Sequence, residues 1–237
     1  MSATTTVMGS SASVDTGRAF WERLWRMAGF NSVAFFIIAY FIYGNQPGVG
    51  ASPDALVAFY HGHGTRILIS MVFSCQAVLY LMWFAVALRN TLVEVGQEGW
   101  ASAVIASSAV VGALLFLRIA VGAALAYSIA GSANSAFTSG LNDLAWACAV
   151  FDSLPRAMLI MACSFGLWRA GLIPNPLFAA GVAAVVLGVA GCTTLVSGGF
   201  WAMDGAYSRF IWPLVGLVWL AVFTRVLSRL PAARSGW

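Results

Sequence analysis

The chain has 237 residues, of which 61% are hydrophobic and 8% charged, with a formal net charge of +4. Soluble domains carry roughly 25% charged residues, so the composition excludes an ordinary water-soluble enzyme and predicts an all-α, six-transmembrane-helix bundle. All basic residues are Arg and none is Lys, which excludes a lysine Schiff base and with it a retinal or PLP cofactor held that way.

Residues 1–17 are Ser/Thr/Ala-rich and lack the basic start of a cleaved signal peptide, so they read as a disordered tail. Arg18 to Arg26 then interleaves Phe20, Trp21, Leu24 and Trp25 with charges, a pattern suited to a water–lipid interface. The first span reads as about Ser32–Tyr43. It reaches the ~20 residues a bilayer core requires when extended back through Trp25.

Gly44–Thr65 is the longest loop. It opens with turn chemistry, Gly44-Asn-Gln-Pro-Gly-Val-Gly50. Ser52 as N-cap and Pro53 at the first helical position then predict a short outer-face helix ending near Tyr60. His61 and His63, with Asp54 seven residues before His61, form a candidate metal set. Two further ligands and a supporting shell are not evident, and interfacial histidines at a helix turn are the competing reading.

The second span, about Ile67–Arg89, carries Gln76, and the third, about Ser102–Ala130, carries Arg118. The fourth, about Leu141–Trp168, carries Asp152, Pro155 and Arg156, with Asn142-Asp143 as its expected cap. In the fifth, about Leu177–Val196, Gly181, Ala184, Gly188 and Gly191 share one face and predict a tight packing seam. The Gly-rich, aromatic loop Ser197–Ser208 is expected to cap the outer mouth before the sixth span, about Phe210–Leu227. A short tail, residues 230–237, follows. Cys75, Cys148, Cys163 and Cys192 all fall within spans without a C-x-x-C spacing, so they read as packing residues and no disulfide is expected.

Charge at membrane depth costs roughly 2.5–3.5 kcal/mol on insertion scales, and is therefore paired, faces a cavity or carries function. Counting 1.5 Å per residue from the expected helix ends puts Arg118 and Asp152 both ~15 Å from the outer surface. That count predicts their contact, with Asp152 bridging Arg118 and Arg156 and Gln76 completing the hydrogen bonds. Pro155 is expected to loosen the helix beside them. The cluster is either a structural lock or a ligand site with excess positive charge. No inverted repeat of the transporter kind is demonstrable.

Arg18, Arg23, Arg26, Arg89, Arg169, Arg225, Arg229 and Arg234 fall on one side of six spans, against Arg66 and Arg209 on the other. The positive-inside rule makes the richer side, with both termini, cytoplasmic. Topology accounts for the net charge, so no nucleic-acid partner is expected.

The run Asp54-Ala-Leu-Val-Ala-Phe-Tyr-x-x-His-x-x-Arg-Ile67, the Leu141-Asn-Asp143 start and the Gly171-Leu-Ile-Pro-Asn-Pro176 turn resemble a family of uncharacterised polytopic membrane proteins of bacteria, frequent in actinobacteria. The resemblance spans about Phe30–Leu227 and implies a bacterial plasma (inner) membrane location. It brings no catalytic residues with it. The first expectation for function is a non-catalytic protein whose partner is a lipid-like ligand, or an accessory subunit of a membrane complex containing other subunits or its own copies. A small transporter using Arg118, Asp152 and Arg156, and a membrane enzyme with an outer-face metal, are the alternatives.

Overall fold

A computed structural model describes residues 11–131 and 134–230, with side chains from Leu24 onward. The fold is all-α, with no strand among the described residues and six spans long and apolar enough to cross a membrane. The helices are α1 (Ser11–Tyr43), α2 (Pro53–Tyr60), α3 (Gly64–Glu94), α4 (Glu98–Ala124), α5 (Ser135–Phe151), α6 (Ser153–Arg169), α7 (Asn175–Ala190) and α8 (Trp212–Arg229). Residues 1–10 and 231–237 of the two expected tails lie outside the described residues, and α1 already runs helically from Ser11.

Glycines end several of these helices where the chain must turn left-handed. Gly44, Gly96 and Gly171 have φ of 79°, 72° and 70°, a region that only glycine enters without strain. After α3 and α6, Gln97 N–H and Leu172 N–H reach back to Leu92 O (2.8 Å) and Leu167 O (2.9 Å), closing carbonyls that the helix end leaves open. The turn between α3 and α4 is thereby reduced to Val95–Gln97. At α2 the expected start is found: Ser52 Oγ accepts from Ala55 N–H at 3.3 Å and Pro53 follows in the first turn.

α1 packs on α3, α3 on α4, α4 on α6 and α6 on α7, while α8 packs mainly on α1 and closes the ring more thinly against α6 and α7. Arg26 Nη1 donates to Leu230 O at 2.8 Å, so the start of the first span and the end of the last lie together at one end of the bundle. Buried serines tie the first pair of spans. Ser32 Oγ donates to Ala77 O (2.7 Å) and Ser70 Oγ to Ala39 O (3.0 Å). Hydrogen bonds of this kind, with close backbone contact, hold helices together where lipid removes the hydrophobic incentive to associate. The exterior is correspondingly greasy, with Phe41, Val72, Val186 and Leu214 more than half exposed, a surface suited to acyl chains and not to water.

The glycine face of α7 is the expected seam. A Cβ on Gly181 would lie 2.3 Å from Ser164 Oγ of α6, and one on Gly188 would lie 2.5 Å from the Trp212 ring and 2.8 Å from Ala157 Cβ. Gly188 is hemmed on two sides, so Gly188→Leu is expected to cost about 1–3 kcal/mol or more through overpacking. Thermal unfolding in detergent should show a clear drop in Tm; an unchanged Tm would mean that α7 does not approach α6 and α8 this closely.

Candidate functional site

Two polar regions stand out inside the apolar bundle. The first lies at the end carrying α2, where Leu56, Phe59 and Tyr60 turn one face inward onto α3, α4 and α5. That face is an i, i+3, i+4 pattern, which places the Tyr60 phenol beneath the loop 44–51. Asn142 of α5 is fully buried and is the centre of the network. Its Oδ1 accepts from Tyr60 Oη (2.9 Å) and Gln46 Nε2 (3.2 Å), and its Nδ2 donates to Gly48 O (3.0 Å). Burial, reinforced by the neighbouring Tyr43, pushes the Tyr60 phenol above its ordinary value, so it stays a neutral donor at physiological pH.

The rest of the loop is pinned by side chains from other spans. Trp146 Nε1 donates to Pro47 O at 2.9 Å, Asp143 accepts from Gly50 N–H at 3.3 Å and Asp204 accepts from Val49 N–H at 3.0 Å. Two arginines complete it. Arg118 donates to Gln46 Oε1 at 3.4 Å and Arg209 donates to Asn45 Oδ1. Their guanidinium carbons lie 5.8 and 5.0 Å from the Trp146 ring centre, within cation–π range.

The second region is the junction of α5 and α6. The fourth span is interrupted at Asp152, which ends one helix and begins the next, with Pro155 in the first turn of α6. Asp152 pairs with Arg156 one turn on, as the i, i+4 spacing allows. Arg156 also lies 5.8 Å over the Trp212 ring, and a Cβ at Gly216 would come within 3.2 Å of its Nη1. The pair leaves polar capacity unused: Asp152 Oδ1 and Trp212 Nε1 are buried without a hydrogen-bond partner. Such orphan groups are uncommon and call for an explanation.

The expected contact between Arg118 and Asp152 is not formed, and the reason is register. α5 begins at Ser135 rather than Leu141, so Asp152 sits seventeen residues into the span, about 25 Å at 1.5 Å per residue. Arg118 lies level with Trp146 instead. Gln76 does not join the cluster either; it is exposed on α3 and makes no hydrogen bond. Asn142 is no cap: Asn134 fills that role, accepting from Phe137 N–H at 3.1 Å.

His61, His63 and Asp54 are all exposed, and His63 Nδ1 lies 3.2 Å from Ala58 O. Among the described residues no three His, Cys, Asp or Glu side chains are grouped to hold a metal. Gln46, Tyr60, Trp146 and Arg209 are site residues that sequence reasoning passed over. The available signal was the polar pair Asn142-Asp143 between Leu141 and Leu144, which needs partners from elsewhere when it lies inside a span.

Fold and polar interior define a multi-pass α-helical membrane protein. No protein-family model, curated protein or solved structure matches the chain, so the reading of its function rests on its own residues.

Unfolding of four variants in detergent tests these regions. Asn142→Leu removes the acceptor of Gln46 and Tyr60 and the donor to Gly48, and is expected to lose about 2–3 kcal/mol, against about 1 kcal/mol for Tyr60→Phe. Asp152→Ala strands the Arg156 charge and is expected to lose about 3 kcal/mol, more than the Asp152→Ala/Arg156→Ala double variant loses. Equal losses in the single and double variants would count against the pair.

Proposed function

We propose that the chain is a non-catalytic protein of the bacterial plasma membrane that binds a lipid-like amphiphile beside Asp152 and Arg156. The orientation in this reading is termini inward. It is supported by Arg26, Arg89, Arg169, Arg225 and Arg229 at the termini end against Arg66 and Arg209 at the other.

One observation carries the binding site. A mid-span ion pair retains an unpartnered carboxylate oxygen, its guanidinium lies over Trp212, whose indole N–H is also unpartnered, and the Arg156 side chain is still 20% exposed. It lies where α8 packs most thinly against α6 and α7. A polar head with a hydroxyl or amide would hydrogen-bond the exposed part of the Arg156 guanidinium there, while its tail runs out among the exposed apolar side chains of the same helices. Pockets of this kind combine mostly apolar walls with a few placed polar groups.

The break in the fourth span favours a second reading, a small transporter. Discontinuous helices with polar groups at the break are where transporters hold substrates and coupling ions.

Native mass spectrometry of the gently extracted protein tests the proposal. The wild type should retain an amphiphile that Arg156→Gln and Asp152→Asn lose. A bare wild-type protein sinks ligand binding and moves flux assays on the same variants to the front. Retention of a protein subunit instead would replace ligand binding with an accessory role.

A further inference from the structure

Three consecutive residues of the loop after α1 each meet an arginine from a different span. The Gly44 backbone, at φ 79°, lies against Arg66 of α3, where a Cβ would come within 3.2 Å of Nη2. Asn45 accepts from Arg209, just before α8, and Gln46 accepts from Arg118 of α4. The fold thus draws three positive charges, far apart in sequence, to one tripeptide.

Among the described residues none of the three forms an ion pair. The nearby carboxylates of Asp143 and Asp204 accept from backbone N–H groups of Gly50 and Val49. A guanidinium carries five N–H donors, yet Arg118 and Arg209 each give one hydrogen bond, to a neutral amide oxygen. Both side chains are only half-buried. Both side chains are held over one indole, Trp146, which fixes their position without neutralising them.

We infer that Arg66, Arg118 and Arg209 form a binding site for a phosphate group at the α2 end of the bundle. Arg118 and Arg209 grip it and the exposed Arg66 guards its entrance. Guanidiniums match phosphate oxygens in geometry as well as charge, and charge-assisted bonds of this kind are about twice as strong as neutral ones. The Gln46 and Asn45 amides keep the forks aimed while the site is free. The phosphate is either a lipid headgroup at the interface or a free anion from the water side. This site stands apart from Asp152 and Arg156 and does not depend on the amphiphile reading.

The test uses the full chain in detergent, in two arms with the same variants. In the first, inorganic phosphate is titrated and Tm followed. In the second, phosphatidylglycerol and phosphatidylcholine compete for the protein in native mass spectrometry. A saturable Tm rise with phosphate, weakened at least about tenfold by Arg118→Gln or Arg209→Gln, establishes the site with a free anion as its ligand. Preferential retention of phosphatidylglycerol, lost in those variants, establishes it with a headgroup.

Arg209→Lys separates geometry from charge, since it keeps the cation and loses the fork. It should weaken binding nearly as much as Arg209→Gln. Arg66→Gln, at an exposed position, leaves folding intact and should weaken binding as well. Arg169→Gln, exposed at the opposite end of the bundle, should leave both arms unchanged. Absence of any response in the wild type, or responses that survive both Arg118→Gln and Arg209→Gln, overturns the site.

Discussion

Within a bilayer there is no water to take up a stray N–H or carbonyl, so every polar group at depth must find a partner inside the protein. The α2 end of this bundle is organised around that constraint. The loop 44–51 is irregular backbone lying over the ends of apolar helices, with part-buried carbonyls at Pro47 and Gly48 and exposed N–H groups at Val49 and Gly50. Asn142, Trp146, Asp143 and Asp204 answer them in turn. One buried carboxamide carries much of this load, because only an amide offers two donors and a two-lone-pair acceptor without charge. An aspartate in its place would lack the donors that hold Gly48, and a leucine would lack both halves.

The same constraint separates what the sequence made legible from what it did not. Spans, the α2 cap at Ser52 and the α7 seam follow from local patterns: apolar length, a Ser-Pro start, small residues on one face. Each depends on residues a few positions apart. The charged cluster depended on a register between two helices, and there a six-residue difference in where α5 begins moved Asp152 one to two turns deeper than Arg118. Hydropathy places the start of α5 late because Ser135–Gly140 is small and polar, yet Asn134 caps it and extends the helix. Gln46 sat in what reads as plain turn chemistry, and nothing within the loop signals that Arg118 and Asn142 converge on it.

The two polar regions resolve their charge differently. Asp152 and Arg156 neutralise each other within one turn, and the helix itself breaks to accommodate them. An isolated ion pair of this sort is weak support for a bundle, because desolvation offsets most of the attraction. The pair itself keeps an orphan oxygen and lies against an indole whose N–H is also an orphan. At the α2 end no such cancellation occurs: the Arg118 and Arg209 guanidiniums are positioned by amides and an aromatic ring, none of which removes their charge.

That difference bears on how such a protein would work. A pair that is internally neutral can be left dry in the hydrocarbon, waiting for a ligand that satisfies only its hydrogen bonds. Uncompensated arginines cannot be left so, and they are found where headgroups or water can reach them. Arg118 combines both conditions, since its Cα lies about eleven residues below the end of its span at Ile129 while its guanidinium reaches up to Gln46.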